Sequence, residues 1–214
     1  ASGDLPSALR QFAQAQELDP TASQTKQALN EGLVAQAEQH ARQHDYKAAA
    51  ADYTKLAISL GTKGNDTLRQ RAAQGAYSVG RTLMNKRIAA GGDIKEELSA
   101  FQAAYDLDNS NQTFKHQLAT TRAALGDQLA ADGKYKDAAN SYREAWKLAK
   151  TNLTYRDKAI SAFVTYGDDR AFNLNYTTAI DAYRAAYEMN TLNGTNKQKL
   201  ATAYNTRGVD YMDR

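Results

Sequence analysis

The segment DLDNSNQ (106–112) places carboxylates and amides as a calcium-binding loop begins. A helix-flanked calcium loop also needs a turn glycine and a closing bidentate Glu, and both are missing. His40 and His44 are four residues apart, a spacing that zinc ligation uses on one helix face. No third ligand of suitable type recurs nearby, so both are read as solvated or capping histidines. Asp168 and Asp169 offer two carboxylates for acid–base work. Adjacent helical residues diverge by about 100°, however, so the two do not converge on one substrate. No nucleophile elbow, phosphate loop or HExxH motif occurs. Neither catalysis, a cofactor nor a metal is expected. Asn65, Asn111, Asn152, Asn175 and Asn193 each head an N-x-T triplet. Asn suits a turn and Thr a helix cap, which accounts for them structurally; in a secreted eukaryotic protein they would also be glycan acceptors.

The elements that carry these residues follow from composition and period. The chain has 214 residues, two prolines, thirteen glycines and no cysteine. Abundant Ala with few β-branched residues favours helix over strand. The 51 charged side chains nearly balance, at a net charge of +3, and no Lys/Arg block marks a nucleic-acid footprint. No apolar run approaches the roughly 20 residues of a membrane span. Absence of cysteine excludes disulfides and thiolate metal sites, and leans towards an exported protein.

Aligned with itself, the chain repeats. GDLPSALRQFAQAQELDP (3–20) lies over HDYKAAAADYTKLAISL (44–60), GDIKEELSAFQAAYDLDN (92–109), GKYKDAANSYREAWKLAK (133–150) and LNYTTAIDAYRAAYEMNT (174–191). Each copy has a hydrophobe (Leu5, Tyr46, Ile94, Tyr135, Tyr176) and, seven residues later, an aromatic (Phe12, Tyr53, Phe101, Tyr142, Tyr183). Between them stands Ala8, Ala49, Ala138 or Ala179, replaced in the third copy by Glu97. Residues three, four and seven apart share a helix face, so one buried stripe recurs five times. In the intervening segments Thr67, Thr113, Thr154 and Thr195 read as N-caps, and Gln70 and Gln198 complete capping boxes with the first and last of them. Thirteen residues after each comes Gly80, Gly126, Gly167 or Gly208, with Ala37 at the matching place earlier. A mid-helix glycine costs about 1 kcal/mol against Ala, so four at one register imply close approach by a neighbouring helix. Helices are expected near 5–18, 23–42, 46–60, 67–89, 94–107, 113–131, 135–149, 154–172, 176–190 and 195–213.

These residues resemble the tetratricopeptide repeat (TPR) family, whose second helix carries Ala, a large aromatic, Ala and a closing Pro; the first copy shows Ala8, Phe12, Ala15 and Pro20. The resemblance implies an all-α, right-handed superhelical solenoid of antiparallel helix pairs. The spacing is long, 41 residues from Ala138 to Ala179 against about 34 in the family. Seven extra residues are almost two turns, which lengthen the first helix without rotating its face. MNKRIAAGG (84–92) reads as a further added turn and a glycine-rich loop. The array is expected to run as one domain over 1–214: a half repeat at 1–20, repeats at 21–62, 63–110, 111–151 and 152–192, and a half repeat at 193–214.

In the family the first helices line a concave groove that holds partners. Here that face should show Glu31, Val34, Glu38, Tyr77, Arg81, Asp127, Val164, Asp168 and Asn205, and so suit a basic or amphipathic segment. It does not match the Lys/Asn/Arg clamp with which some members hold a carboxylate. The chain also begins and ends at the same phase of the repeat. Tyr204, Gly208 and Tyr211 at one end and Leu5, Ala8, Phe12 and Ala15 at the other are therefore expected to continue the stack, within a longer chain or between copies. The functional expectation is a scaffold for protein–protein association, as a unit of a longer array or a head-to-tail filament; the alternative is a peptide-binding adaptor using the groove. The partner is a protein in either case, itself or another, with neither nucleic acid nor membrane insertion expected.

Overall fold

A computed structural model describes residues 4–60 and 66–212. Of these, 85% are helical, and no strand occurs among them. The helices are α1 (Leu5–Leu18), α2 (Ser23–Arg42), α3 (Tyr46–Leu60), α4 (Asp66–Ala90), α5 (Lys95–Leu107), α6 (Gln112–Ala131), α7 (Tyr135–Leu148), α8 (Leu153–Phe172), α9 (Tyr176–Met189) and α10 (Gly194–Met212). No helix among the described residues is long and apolar enough to cross a membrane. The fold is all-α, built of antiparallel pairs joined by short turns.

The chain divides into two compact units, residues 1–118 and 119–214, with the boundary inside α6. In the first, α1 packs on α2, α2 on α3, α3 on α4 and α5, and α4 on α5. Its core holds Val34, Ala49, Tyr53, Leu56, Ala76, Ala104, Leu107 and Phe114. In the second, α7 packs on α8, α8 on α9, and α9 on α10, around Ala138, Tyr142, Ala145, Ala159, Phe163, Ile180 and Tyr183. The recurrent Ala-and-aromatic stripe is thus the core, because small residues let helices approach while the ring fills the space between them.

The caps differ from expectation. The side-chain oxygen of Asn111 accepts from the Thr113 and Phe114 amides, that of Asn152 from Thr154, and that of Asn193 from Asn196. The Asn is therefore the N-cap and the Thr lies inside the first turn, since a short carboxamide reaches back to free amides two and three residues on. Asn175 caps α9 in the same way through Thr178. Asn65 and the expected cap around Thr67 touch residues outside those described.

First helices end in a left-handed residue: His44 at φ 62°, Gly133 at 74° and Leu174 at 59°. The next amide in each case bonds back five residues, as in Asp45 to His40 and Asn175 to Arg170, both at 2.8–2.9 Å. Among the candidate calcium ligands, Asp108 ends α5 and accepts from Ser110 and Thr113's capping neighbour Asn111 within an ordinary turn.

Candidate protein-interaction surfaces

The three repeat glycines inside the stack sit where a ring covers them. A Cβ on Gly80 would lie 2.8 Å from the Phe101 ring, and on Gly126 or Gly167 2.5 Å from the ring of Tyr142 or Tyr183. Gly208, at the same register of α10, has nothing within 4 Å of that position among the described residues. Around it Tyr204, Val209, Tyr211 and Met212 are exposed, Met212 by 78%. At the other end Ala8 and Phe12 are half-buried and Ala15 is exposed, whereas their counterparts Ala49, Tyr53 and Leu56 are fully buried. Leu5 is half-buried as well. Both faces are the apolar stripe of the core, turned outward.

The groove residues separate into different roles. Val34 is 1% exposed and packs in the first unit's core, so it lines no open surface; the apolar stripe of α2 claims it. Tyr77 is half-buried, its ring centroid 5.7 Å from Phe101 and 5.0 Å from Phe114. Val164 packs against the second unit's core. Glu31, Arg81, Asp127, Asp168 and Asn205 are exposed.

The acids, however, are already engaged. Arg71 grips both oxygens of Glu38 at 2.7 and 2.6 Å. Asp127 accepts from the Tyr142 hydroxyl at 2.7 Å and from Lys158 at 2.6 Å, and Asp168 from Tyr183 and Lys199 at the same distances. Lys158 and Lys199 also stand over the rings of Tyr142 and Tyr183, at 5.5 and 5.8 Å from the centroids. Each set joins the end of one first helix, the intervening second helix and the start of the next first helix. Burial, and then the bond to the carboxylate, raises the Tyr142 and Tyr183 hydroxyls above the usual tyrosine pKa. Tyr53 is pushed up to about 12, first by burial and then by the charge of Glu38.

Sequence reasoning missed these sets because their members are 15 and 31 residues apart. A recurring offset from the glycine register was the available signal. It also missed two buried acids. Glu97 is fully buried and held at both oxygens by Arg87, at 2.9 and 3.0 Å, from the added turn of α4. Asp52 is buried and contacts His40 Nδ1 at 2.8 Å. His40 is therefore a packing partner rather than a solvated residue, while His44 occupies the turn and meets the Tyr46 hydroxyl at 2.9 Å.

Two clefts occupy one register. In the first unit Glu38, Ala41, Tyr46, Tyr53 and Gly75 bound about 390 Å³. In the second Ala171, Tyr176, Tyr183, Lys199 and Ala203 bound about 410 Å³.

No protein-family model matches the chain. No curated protein matches it. It is similar to solved TPR structures. The C-terminal part of a TPR repeat-containing protein from Cytophaga hutchinsonii is 14% identical, with 94% of this chain and 89% of that one covered and a TM-score of 0.30. YrrB, described as a TPR protein with an unusual peptide-binding site, is 17% identical over 91% of this chain and 82% of its own, at 0.24. BtubC from P. vanneervenii is 15% identical over 95% and 83%, at 0.29. Likeness at this level carries no argument about partners.

Proposed function

We propose that the chain is a non-catalytic scaffold for protein–protein association, an array of helix-pair repeats that continues either within a longer chain or by head-to-tail stacking of copies, the α10 face receiving an α1-type helix. The observation that carries this reading is at Gly208, over which no side chain stands among the described residues, whereas Gly80, Gly126 and Gly167 are each covered by an aromatic ring. Exposed Tyr204, Val209 and Tyr211 surround it, and Ala8 and Phe12 offer the matching ring and small residue. Exposed aromatic and aliphatic side chains clustered in this way, with the Arg207 guanidinium 5.5 and 5.9 Å from the Tyr204 and Tyr211 ring centroids, support an association site, and a head-to-tail contact that does not close gives a filament.

Sedimentation and light scattering across a concentration series test it. Stacking predicts a size that grows with concentration, and a Phe12→Asp/Tyr211→Asp variant that keeps its far-ultraviolet helical spectrum while remaining monomeric. A wild-type chain that stays monomeric throughout overturns the stacking.

The two clefts favour a second reading, a peptide-binding adaptor. With Glu38, Asp127 and Asp168 neutralised by Arg71, Lys158 and Lys199, such a cleft would select apolar or aromatic side chains rather than a basic segment.

A further inference from the structure

The two clefts differ in one hydroxyl. At the second, the Tyr183 hydroxyl donates to Asp168 at 2.7 Å, as that of Tyr142 does to Asp127. At the first, Tyr53 is 1% exposed and its hydroxyl has no hydrogen-bond partner among the described residues. Glu38, the acid of matching register, gives both oxygens to Arg71 instead. The cause is an exchange of glycine and alanine between neighbouring helices. Around Tyr142 and Tyr183 the preceding first helix carries Gly126 or Gly167, and the following one carries Ala162 or Ala203. Around Tyr53 the order is reversed, with Ala37 on α2 and Gly75 on α4. The Ala37 β-carbon holds the ring off α2, as one on Gly126 would displace Tyr142, whereas a Cβ on Gly75 would overlap the Tyr53 hydroxyl. The ring therefore leans onto α4, and its hydroxyl is carried from Glu38 into the 390 Å³ cleft that Tyr53 and Gly75 both bound.

A buried hydroxyl without a partner costs free energy, which an acceptor supplied by a ligand relieves. The walls beside it are apolar, from Ala41, Tyr46 and Val79. The charges that act on the hydroxyl are two of each sign, Glu38 and Asp52 against Arg71 and Arg42, so no unbalanced cation awaits an anionic ligand. Burial keeps the proton on the oxygen at neutral pH, so the group donates. Resting on the adaptor reading, we infer that the first unit's cleft binds a peptide segment in which an apolar side chain adjoins an uncharged carbonyl. The side chain lies against Ala41 and Val79, and the carbonyl accepts from the Tyr53 hydroxyl. Tyr53 is the specificity-determining residue, and Gly75 gives it room. At the second unit's cleft, where Asp168 holds the Tyr183 hydroxyl, the same segment gains no such bond.

N-acetyl-leucine N′-methylamide is a small probe with both features, and N-acetyl-leucine presents a carboxylate in place of one amide. Titrated into the full chain and followed at the amide resonances of Gly75 and Val79, the diamide should bind with a Kd of about 1 mM, ordinary for a ligand of its size. N-acetyl-leucine should bind more weakly; tighter binding would make this an anion site and overturn the uncharged acceptor. Tyr53→Phe should weaken the diamide about fivefold, the effect of one neutral hydrogen bond. It should also melt no lower than wild type, because the lost hydroxyl has no partner in the fold, whereas Tyr183→Phe breaks the bond to Asp168 and should melt lower. If wild type shows no saturable shift, the adaptor reading falls at this cleft and the inference with it. If wild type binds and Tyr53→Phe binds equally well, the cleft stands as an adaptor site and the role of the hydroxyl is overturned. A Tyr53→Phe chain that melts as far below wild type as Tyr183→Phe also overturns it, since the hydroxyl would then be satisfied within the fold.

Discussion

A Cβ on Gly126 or Gly167 would meet a tyrosine ring at 2.5 Å, so a branched side chain there cannot be absorbed by rotation alone. Gly126→Leu and Gly167→Leu should each cost about 1–3 kcal/mol in urea unfolding. Gly208→Ala should stabilise the isolated chain, by up to about 1 kcal/mol, because it only removes the cost of a glycine within a helix. Leu174 presents the opposite case, an exposed β-carbon held at φ 59°. Replacing it with Gly removes a clash worth about 1 kcal/mol and should raise the melting temperature. The tyrosine hydroxyls give a pH signature. Because folding raises their pKa, the folded chain holds these protons more tightly than the unfolded one. Their contribution is complete below about pH 10, the ordinary tyrosine value, and is lost as pH climbs through the folded value, about 12 for Tyr53. Alkaline unfolding should fall in that window by circular dichroism, and Tyr142→Phe should remove one late step from the tyrosinate absorbance titration.

At the scale of helices, the third repeat shows how a departure and an insertion answer each other. Glu97 stands where other copies have Ala8, Ala49, Ala138 and Ala179, and Arg87 reaches it from a turn that other first helices lack. Gly91 and Gly92, both at positive φ, then bring the chain back to begin α5. Arg87→Met should cost about 3–5 kcal/mol because it strands a buried carboxylate, whereas Arg87→Met with Glu97→Ala should recover most of that loss in chemical denaturation. Helix positions were readable to within about a residue, since apolar period, turns and caps all agree along this chain. The partner of Glu97 was not readable: periodicity shows that a position is buried, but not which long side chain reaches it. Val34 failed for a related reason. Family register assigned it to a groove, while the width of the apolar stripe on α2 put it in the core.

For the molecule as a whole, apolar end faces and internally balanced charges make one joint prediction. Self-association should change little when ionic strength rises tenfold, because no ion pair is proposed at the joint and only charged contacts are screened. Steep loss of association with salt would instead indicate the charged groove surfaces. The Asp127–Tyr142–Lys158 and Asp168–Tyr183–Lys199 sets bear on how such an array can change its length. Each spans three consecutive helices, so excising or inserting a segment at random separates an acid from its tyrosine or its lysine. The fourth and fifth copies are of one kind and lie 41 residues apart, from Ala138 to Ala179. An in-frame duplication of that interval creates one new boundary, at which Asp168 would meet the copied Tyr142 and Lys158 in the same set of bonds. Unequal crossing-over between these two gene segments is thus the route by which the array can gain a repeat without a single compensating substitution.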